Sequence, residues 1–216
     1  MLEEHNTQKK DNFYAIAAVL ALLVAVIGFA VAAFTFTFTS KPNTITTGNI
    51  SMKMLESKDS INIENAFPIT DEQGMNLEHS DGSSGVFDFE VSTSASGSPG
   101  DITYNISIMK EEVDSGYTAF NDDQIKVYLA SYTGSGALAD ETQVVAPTLV
   151  SNIITSGTTG QLKANIVNSH NTANQTITTK YRLKMWIDSQ VNASSWNAST
   201  KLQYKLKIKV DGQASV

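Results

Sequence analysis

Any catalytic or metal-binding role in this chain has to be built from three histidines, His5, His79 and His170, and from paired carboxylates, because there is no cysteine. That absence removes thiolate nucleophiles, thiolate zinc sites, cysteine-ligated iron–sulfur clusters and disulfides together. His5 precedes a long apolar run, so at most two histidines share one side of a membrane. His79 and His170 have polar neighbours, Glu78-His79-Ser80 and Ser169-His170-Asn171, and read as solvent-exposed. There is no H-E-x-x-H, no G-x-S-x-G and no glycine-rich loop ending in Gly-Lys-Ser/Thr. The acidic pairs Asp71-Glu72, Glu111-Glu112, Asp122-Asp123 and Asp140-Glu141 are the residue type that holds calcium. None sits in a ligand-spaced loop, and they read as solvated loop charges. The expectation is a non-enzyme with no catalytic, cofactor-binding or metal-ligating residue.

Five N-x-S/T triplets begin at Asn49, Asn105, Asn174, Asn192 and Asn197. Asn174, Asn192 and Asn197 lie in polar loop sequence and are the candidate N-glycosylation acceptors in a host that glycosylates exported proteins. The other reading is a polar surface without sugar. With 15 Lys and Arg against 22 Asp and Glu, the chain has no cation excess with which to displace counterions from a phosphate backbone. Nucleic acid is not an expected partner.

Residues 13–36 read FYAIAAVLALLVAVIGFAVAAFTF, and no charge occurs from Asn12 through Ser40. The run exceeds the roughly 20 apolar residues that span a bilayer, and it shows no polar face. Residues 1–12 then form a cytoplasmic leader whose Lys9 and Lys10 give a weak positive-inside signal. Ala30-Val31-Ala32 matches the A-x-A pattern of signal peptidase, with Ala33 the first residue after the cut. The length of the run favours a retained anchor and the A-x-A favours cleavage. Both send the remainder, 34–216, across the membrane, so the protein is expected to be exported, and membrane-anchored if the 13–33 helix is not cut.

Directly after the apolar run comes Phe34-Thr35-Phe36-Thr37-Phe38-Thr39. Strict alternation of Phe and Thr is the period of a strand, which lines Phe34, Phe36 and Phe38 along one face. Either the rings enter the core of their own domain or they fill a groove in a neighbouring subunit.

Downstream the pattern is strand after strand: Thr44–Leu55, Ser60–Ile63, Val86–Ser92, Ile102–Met109, Gln124–Tyr132, Gln161–Val167, Thr176–Asp188 and Lys201–Val210. Ile102–Ile108 and Leu202–Val210 alternate apolar with polar at every step, as half-buried antiparallel strands do. Gly, Ser, Asn and Asp clusters at 80–85 and 94–100 punctuate them. Residues 111–123 and 137–160 read as long excursions, an insertion or a short extra hairpin, and no amphipathic helix of convincing length follows Ser40. The predicted fold is all-β: a single antiparallel jelly-roll or Greek-key β-sandwich behind an N-terminal signal or transmembrane helix.

The export segment ending in Ala32-Ala33-Phe34, followed by Thr44-Ile45-Thr46-Thr47-Gly48-Asn49-Ile50-Ser51, resembles the start of the TasA/camelysin family, with Asn49 and Ser51 standing where that pattern has Thr and Asp. Residues 61–74, INIENAFPITDEQG, and 181–188, YRLKMWID, resemble uncharacterised membrane-anchored relatives of that kind. The resemblance implies a surface or biofilm-matrix β-sandwich whose mature N-terminal strand, here about 34–47, completes the sheet of the next subunit in a homopolymer. The peptidase label carried by camelysin-type members finds no zinc or nucleophile motif here. The competing expectation is a monomeric membrane-tethered binding module or adhesin, or a virion surface protein.

Overall fold

The computed structural model describes residues 35–39, 50–55, 60–78, 85–94, 100–196 and 200–214. The chain divides into two units, 1–35 and 36–216. The apolar run and the signal-cleavage residues Ala30, Ala32 and Ala33 lie outside the described residues. Among the described residues no helix is long and apolar enough to cross a membrane.

The second unit is a two-sheet antiparallel β-sandwich. In chain order its elements are β1 (Thr35–Thr39), β2 (Ile50–Met54), β3 (Ile61–Glu64), α1 (Asp71–Met75), β4 (Val86–Ser94), β5 (Gly100–Lys110), β6 (Thr118–Ala119), β7 (Ile125–Tyr132), β8 (Glu141–Leu149), α2 (Val150–Ile153), β9 (Thr159–His170), β10 (Thr176–Ile187) and β11 (Leu202–Ala214). One sheet runs β1-β11-β5-β9, with β3 and β6 also on β11; the other runs β2-β4-β10-β7-β8. Consecutive strands repeatedly change sheet, which is why the connections pass over the ends of the sandwich.

Period-two patterning decides which face of each strand is dry. From the first sheet come Ile102, Tyr104, Ile106 and Ile108 of β5 and Tyr204, Leu206, Ile208 and Val210 of β11. Against them stand Phe87, Phe89 and Val91 of β4, Ile125, Val127 and Leu129 of β7, and Tyr181, Leu183, Met185 and Ile187 of β10. These side chains form one continuous core. At about 1.5–3 kcal/mol for each fully buried large apolar side chain, this layer is the dominant stabilising term.

The outer face of the second sheet departs from expectation: it is covered rather than wet. Trp186, Tyr128 and Ala130 are buried there under Ile69, Met75 and Leu77. The cover is held by α1, which starts at a capping box: Gln73 N–H donates to Thr70 Oγ1 at 3.3 Å and Thr70 N–H to Gln73 Oε1 at 3.0 Å. Gly74 is required in that helix, because a Cβ there would collide with the Trp186 indole. The excursion at 137–160, read as an insertion or a short extra hairpin, contains β8, which pairs antiparallel with β7, and α2.

Candidate functional site: the N-terminal flank of the sandwich

A sandwich has two flanks, where sheet edges present unpaired main-chain groups unless something covers them. On one flank the terminal strands are β1 and β2, and on the other β9 and β8. The second pair touch across the gap between sheets.

The N-terminal flank is assembled from short pieces. Leu206 of β11 is paired with Ile61 of β3 on one edge and with Lys110 of β5 on the other. β3 covers only Gln203–Leu206 of that first edge, while β5 runs along the second from Leu206 to Ala214. β1 also pairs with β11, and the space left to it is the first edge beyond Leu206. Thus the stretch containing Phe36 and Phe38 is a strand, and its main chain completes the edge of β11. Phe34 lies just outside the described residues. On the facing sheet β2 lies against β4 in the register Ile50↔Thr93 through Met54↔Phe89, and Leu55 N–H donates to the Asp88 carbonyl at 3.2 Å.

At the boundary of this flank the body is tied down by side chains. Glu64 of β3 accepts from Gln203 Nε2 at 2.9 Å, from the Tyr117 hydroxyl at 2.9 Å and from Asn62 Nδ2 at 2.8 Å. These hydrogen bonds, Asn62's first, hold its carboxyl below the usual range.

The opposite flank is one continuous run, β8–α2–β9. Val150, Ile154 and Leu162 of that run are in the core. Its edges are irregular in ways that oppose further strand pairing. β8 contains Pro147 and its register against β7 shifts twice; β9 is bulged against β5 near Asn165, a residue at φ 52°. Asn105 accepts the Asn165 N–H at 2.8 Å, so this N-x-S asparagine is engaged inside the sheet.

The first residue of β8 also anchors a buried charge cluster. Arg182 of β10 donates through Nε and Nη2 to the two oxygens of Asp88, 2.7 Å each, and through Nη1 to the Gly136 carbonyl at 2.7 Å and Glu141 Oε1 at 3.0 Å. Lys184, 0% exposed, donates to Glu141 Oε2 at 2.9 Å and to the Met75 carbonyl at 2.6 Å. The Tyr132 hydroxyl donates to Asp88 Oδ2 at 3.2 Å, and the Arg182 guanidinium lies 4.9 Å from the Tyr132 ring centroid. Burial pushes the Lys184 amine down, whereas Asp88 raises Arg182 further above its ordinary value. Two cations and two anions balance, and the donors are spent on the protein itself. The cluster fastens the 133–141 loop and the end of α1 onto the sheet. Sequence reading missed it, because Arg182 and Lys184 alternating with Tyr181, Leu183 and Met185 is the pattern of a strand with one wet face.

Two further polar contacts cross the core. Tyr104 of β5 and Tyr181 of β10 meet hydroxyl to hydroxyl at 2.6 Å, and burial raises both phenols. His170 corrects an expectation: it is not exposed but 2% accessible. Its Nε2 lies 3.0 Å from the Thr93 carbonyl and its Nδ1 3.1 Å from the Asn168 carbonyl, joining β9 to β4. Polar sequence neighbours misled, because the last residue of β9 turns toward the gap between the sheets.

Of the glycosylation candidates, Asn174 is exposed in the β9–β10 turn at φ 59°, and Asn192 is exposed as the cap of a 3-10 turn whose Ser194 N–H it accepts at 3.0 Å. Asn197 and His79 lie outside the described residues, as does His5. The acidic pairs are drawn into ion pairs rather than gathered: Asp71 and Asp188 with Lys126, Glu111 with Lys207, Asp122 with Lys110, Glu141 with Lys184. Among the described residues no group of three or more His, Cys, Asp or Glu is placed to hold a metal. A cleft lined by Lys110, Glu111, Glu112, Val113, Ala119 and Thr158 has two of its charges already engaged in those pairs.

No family model and no curated protein matches this chain. Among solved structures it is similar to the VP2 protein of infectious bursal disease virus in derived T=1 particles, at 11% identity and a TM-score of 0.29 over 82% of this chain. The match covers 31% of that protein, so the chain spans about a third of its length. It is similar also to TmCBM61 in complex with β-1,4-galactotriose, at 10% identity and TM-score 0.28 over 81% of this chain and 90% of that one. A third is the K1 cleaved adhesin domain of Lys-gingipain from Porphyromonas gingivalis, at 8% identity and TM-score 0.25 over 84% and 99%. Likenesses this distant carry no functional argument, and the reading below rests on the flanks.

Proposed function

We propose that this chain is an exported structural subunit that assembles into surface fibres or extracellular matrix by exchange of its N-terminal strand. The observation that carries the reading is the edge of β11 beyond Leu206. It is completed by β1, a five-residue strand that precedes the core-building strands from β3 onward. The same ladder of N–H···O=C bonds forms equally well when the strand comes from another copy, so exchange conserves the contacts. A head-to-tail contact of this type does not close on itself and propagates as a filament. Phe34, Phe36 and Phe38 would add about 1.5–3 kcal/mol each if their rings are buried in the acceptor. The strand order supports a jelly-roll sandwich, and the resemblance to TasA/camelysin proteins supports the fibre. The mode requires release from the membrane, hence cleavage after Ala32.

The same pairing supports a second reading: with β1 on its own β11 the chain is self-complete, as a membrane-tethered binding module, adhesin or virion surface protein would be. Mass spectrometry of the native N-terminus separates the two. A chain beginning at Ala33 is expected for the fibre; an intact Met1 or Leu2 in the membrane fraction selects the tether. Replacing Phe34, Phe36 and Phe38 with Ser is expected to abolish assembly and leave a folded monomer by circular dichroism. A monomer that unfolds instead assigns the comb to its own core.

A further inference from the structure

Where β5 ends, a lysine and a carboxylate meet under the hydroxyl of a core tyrosine. We infer that the Lys110 amine and the Asp122 carboxyl condense to an intramolecular amide. The bond is a covalent staple from β5 of the first sheet to the lead into β7 of the second, in a chain that has no cysteine to make one with sulfur. The inference is independent of strand exchange.

Position sets this pair apart from the other lysine–carboxylate pairs. Lys110 is the last residue of β5 and follows Ile102, Tyr104, Ile106 and Ile108 in the alternation that faces the core. Lys205, Lys207 and Lys209 instead alternate with the core residues of β11, and their carboxylate partners lie on the outer side. The contact is close: Lys110 Nζ lies 2.5 Å from Asp122 Oδ1. The main chain is pinned at both residues, since Lys110 N–H donates to the Thr158 carbonyl at 2.7 Å and Ser151 N–H to the Asp122 carbonyl at 3.0 Å. Holding two reacting groups in such contact is worth an effective molarity of up to about 10⁵–10⁸ M. A third group is aimed at the same atom. The Tyr204 hydroxyl donates to Asp122 Oδ1 at 2.7 Å, its residue is 1% exposed, and its ring centroid is 5.3 Å from Lys110 Nζ. Among the described residues no other lysine–carboxylate pair has a phenol on the oxygen that the amine touches. Burial, and then the bond to Asp122, raise the Tyr204 phenol, so it keeps the proton it donates.

The step balances without a co-reactant. One ammonium proton crosses the hydrogen bond to the carboxylate, and the freed amine adds to the Asp122 Cγ. Oδ2 then departs as water with two of the three protons that began on nitrogen. Oδ1 stays as the amide carbonyl, and the Tyr204 hydroxyl bears on it where negative charge gathers in the tetrahedral stage. Lys110 lines the cleft beside Thr158, which gives the water a way out.

Mass spectrometry of the full chain tests the staple. The intact mass is expected to fall one water below that calculated from the sequence and the observed N-terminus. In a tryptic digest the missing water should lie in a peptide that holds both residues and is uncut after Lys110. Lys110→Arg and Asp122→Ala should each return to their own calculated mass. Tyr204→Phe keeps the ring, removes the hydroxyl, and should leave a larger unlinked fraction in freshly made protein. An unmodified protein at its full calculated mass, cut after Lys110, overturns the staple. A missing water that persists in Asp122→Ala does so as well, and complete linkage in Tyr204→Phe overturns the part given to the hydroxyl.

Discussion

The two flanks of this sandwich solve the same problem differently. The β8–α2–β9 flank is sewn by one uninterrupted run of chain, buries Val150, Ile154 and Leu162, and distorts its edges with a proline and bulges. The N-terminal flank is closed by strands that each lie against a single neighbour and enter from the start of the unit. Covalent continuity and side-chain burial make the first flank part of the fold. The second is closed by ladders from β1 to β11 and from β2 to β4, and the proposed strand exchange would act there. On the proposed strand exchange, function would reside in an edge rather than a pocket, the buried charges being paired with each other.

The sharpest way to break the comparison is to attack the sewn flank where β8 begins. Glu141, its side chain 6% exposed, is the shared anion of Arg182 and Lys184. Glu141→Ala leaves a fully buried ammonium without its counter-ion, and truncating one partner of a buried pair costs about 3–5 kcal/mol. Urea unfolding of the monomer is expected to show that loss. If the sewn flank contributes little to the fold, the midpoint will barely move. Adding Lys184→Met should recover most of the stability, because the charge that made the vacancy expensive is gone.

A smaller effect is expected from Gly160→Ala. A Cβ at this position would run into the Ile153 carbonyl and carbon, main-chain atoms that cannot swing aside as a side-chain tip can. The α2–β9 corner must therefore shift, at about 1–3 kcal/mol for overpacking. Both changes act on the sewn flank, so the proposed assembly by strand exchange should persist at temperatures where the variant stays folded. Loss of assembly without loss of monomer stability would show that the flanks communicate.

The strands with one wet face were legible because alternation is a direct image of a sheet with one dry side. Ile102–Ile108 and Leu202–Val210 fall inside β5 and β11. β8 was legible only as an excursion that could hold a hairpin: at Glu141–Leu149 most positions are half-buried, so ETQVVAPTL shows no period two. The covered outer face was hidden for a different reason. Asp88 between Phe87 and Phe89, and Arg182 and Lys184 among apolar residues, look like the solvent side of a strand unless the partner loop is known, and Glu141 is 41 residues away from Arg182. His170 failed in the same direction, since neighbours in sequence do not report which way a strand's last residue turns. The comb was legible as a strand, and its pairing with β11 needed the topology.

The finest test concerns Glu64, which ties β3 to the body of the sandwich. Its carboxyl is held below the ordinary value of 4.5 by bonds from Asn62, Gln203 and Tyr117. A carboxyl with a depressed folded-state pKa binds protons less readily folded than unfolded. Its contribution is therefore complete above pH 4.5 and disappears as the pH falls through the lower folded value. Because the group is half-buried, the contribution is below about 1 kcal/mol. Urea midpoints of the unmodified protein and Glu64→Gln should differ slightly at neutral pH and converge in acid below that window. A difference that persists in acid would mean that Glu64 acts through packing rather than charge. Weakening the tie that fixes β3 should loosen β3 in acid before the sewn flank loosens. Hydrogen exchange read at β3 and at β9 across the same pH range tests that order directly, and β9 opening first would remove the distinction between the flanks.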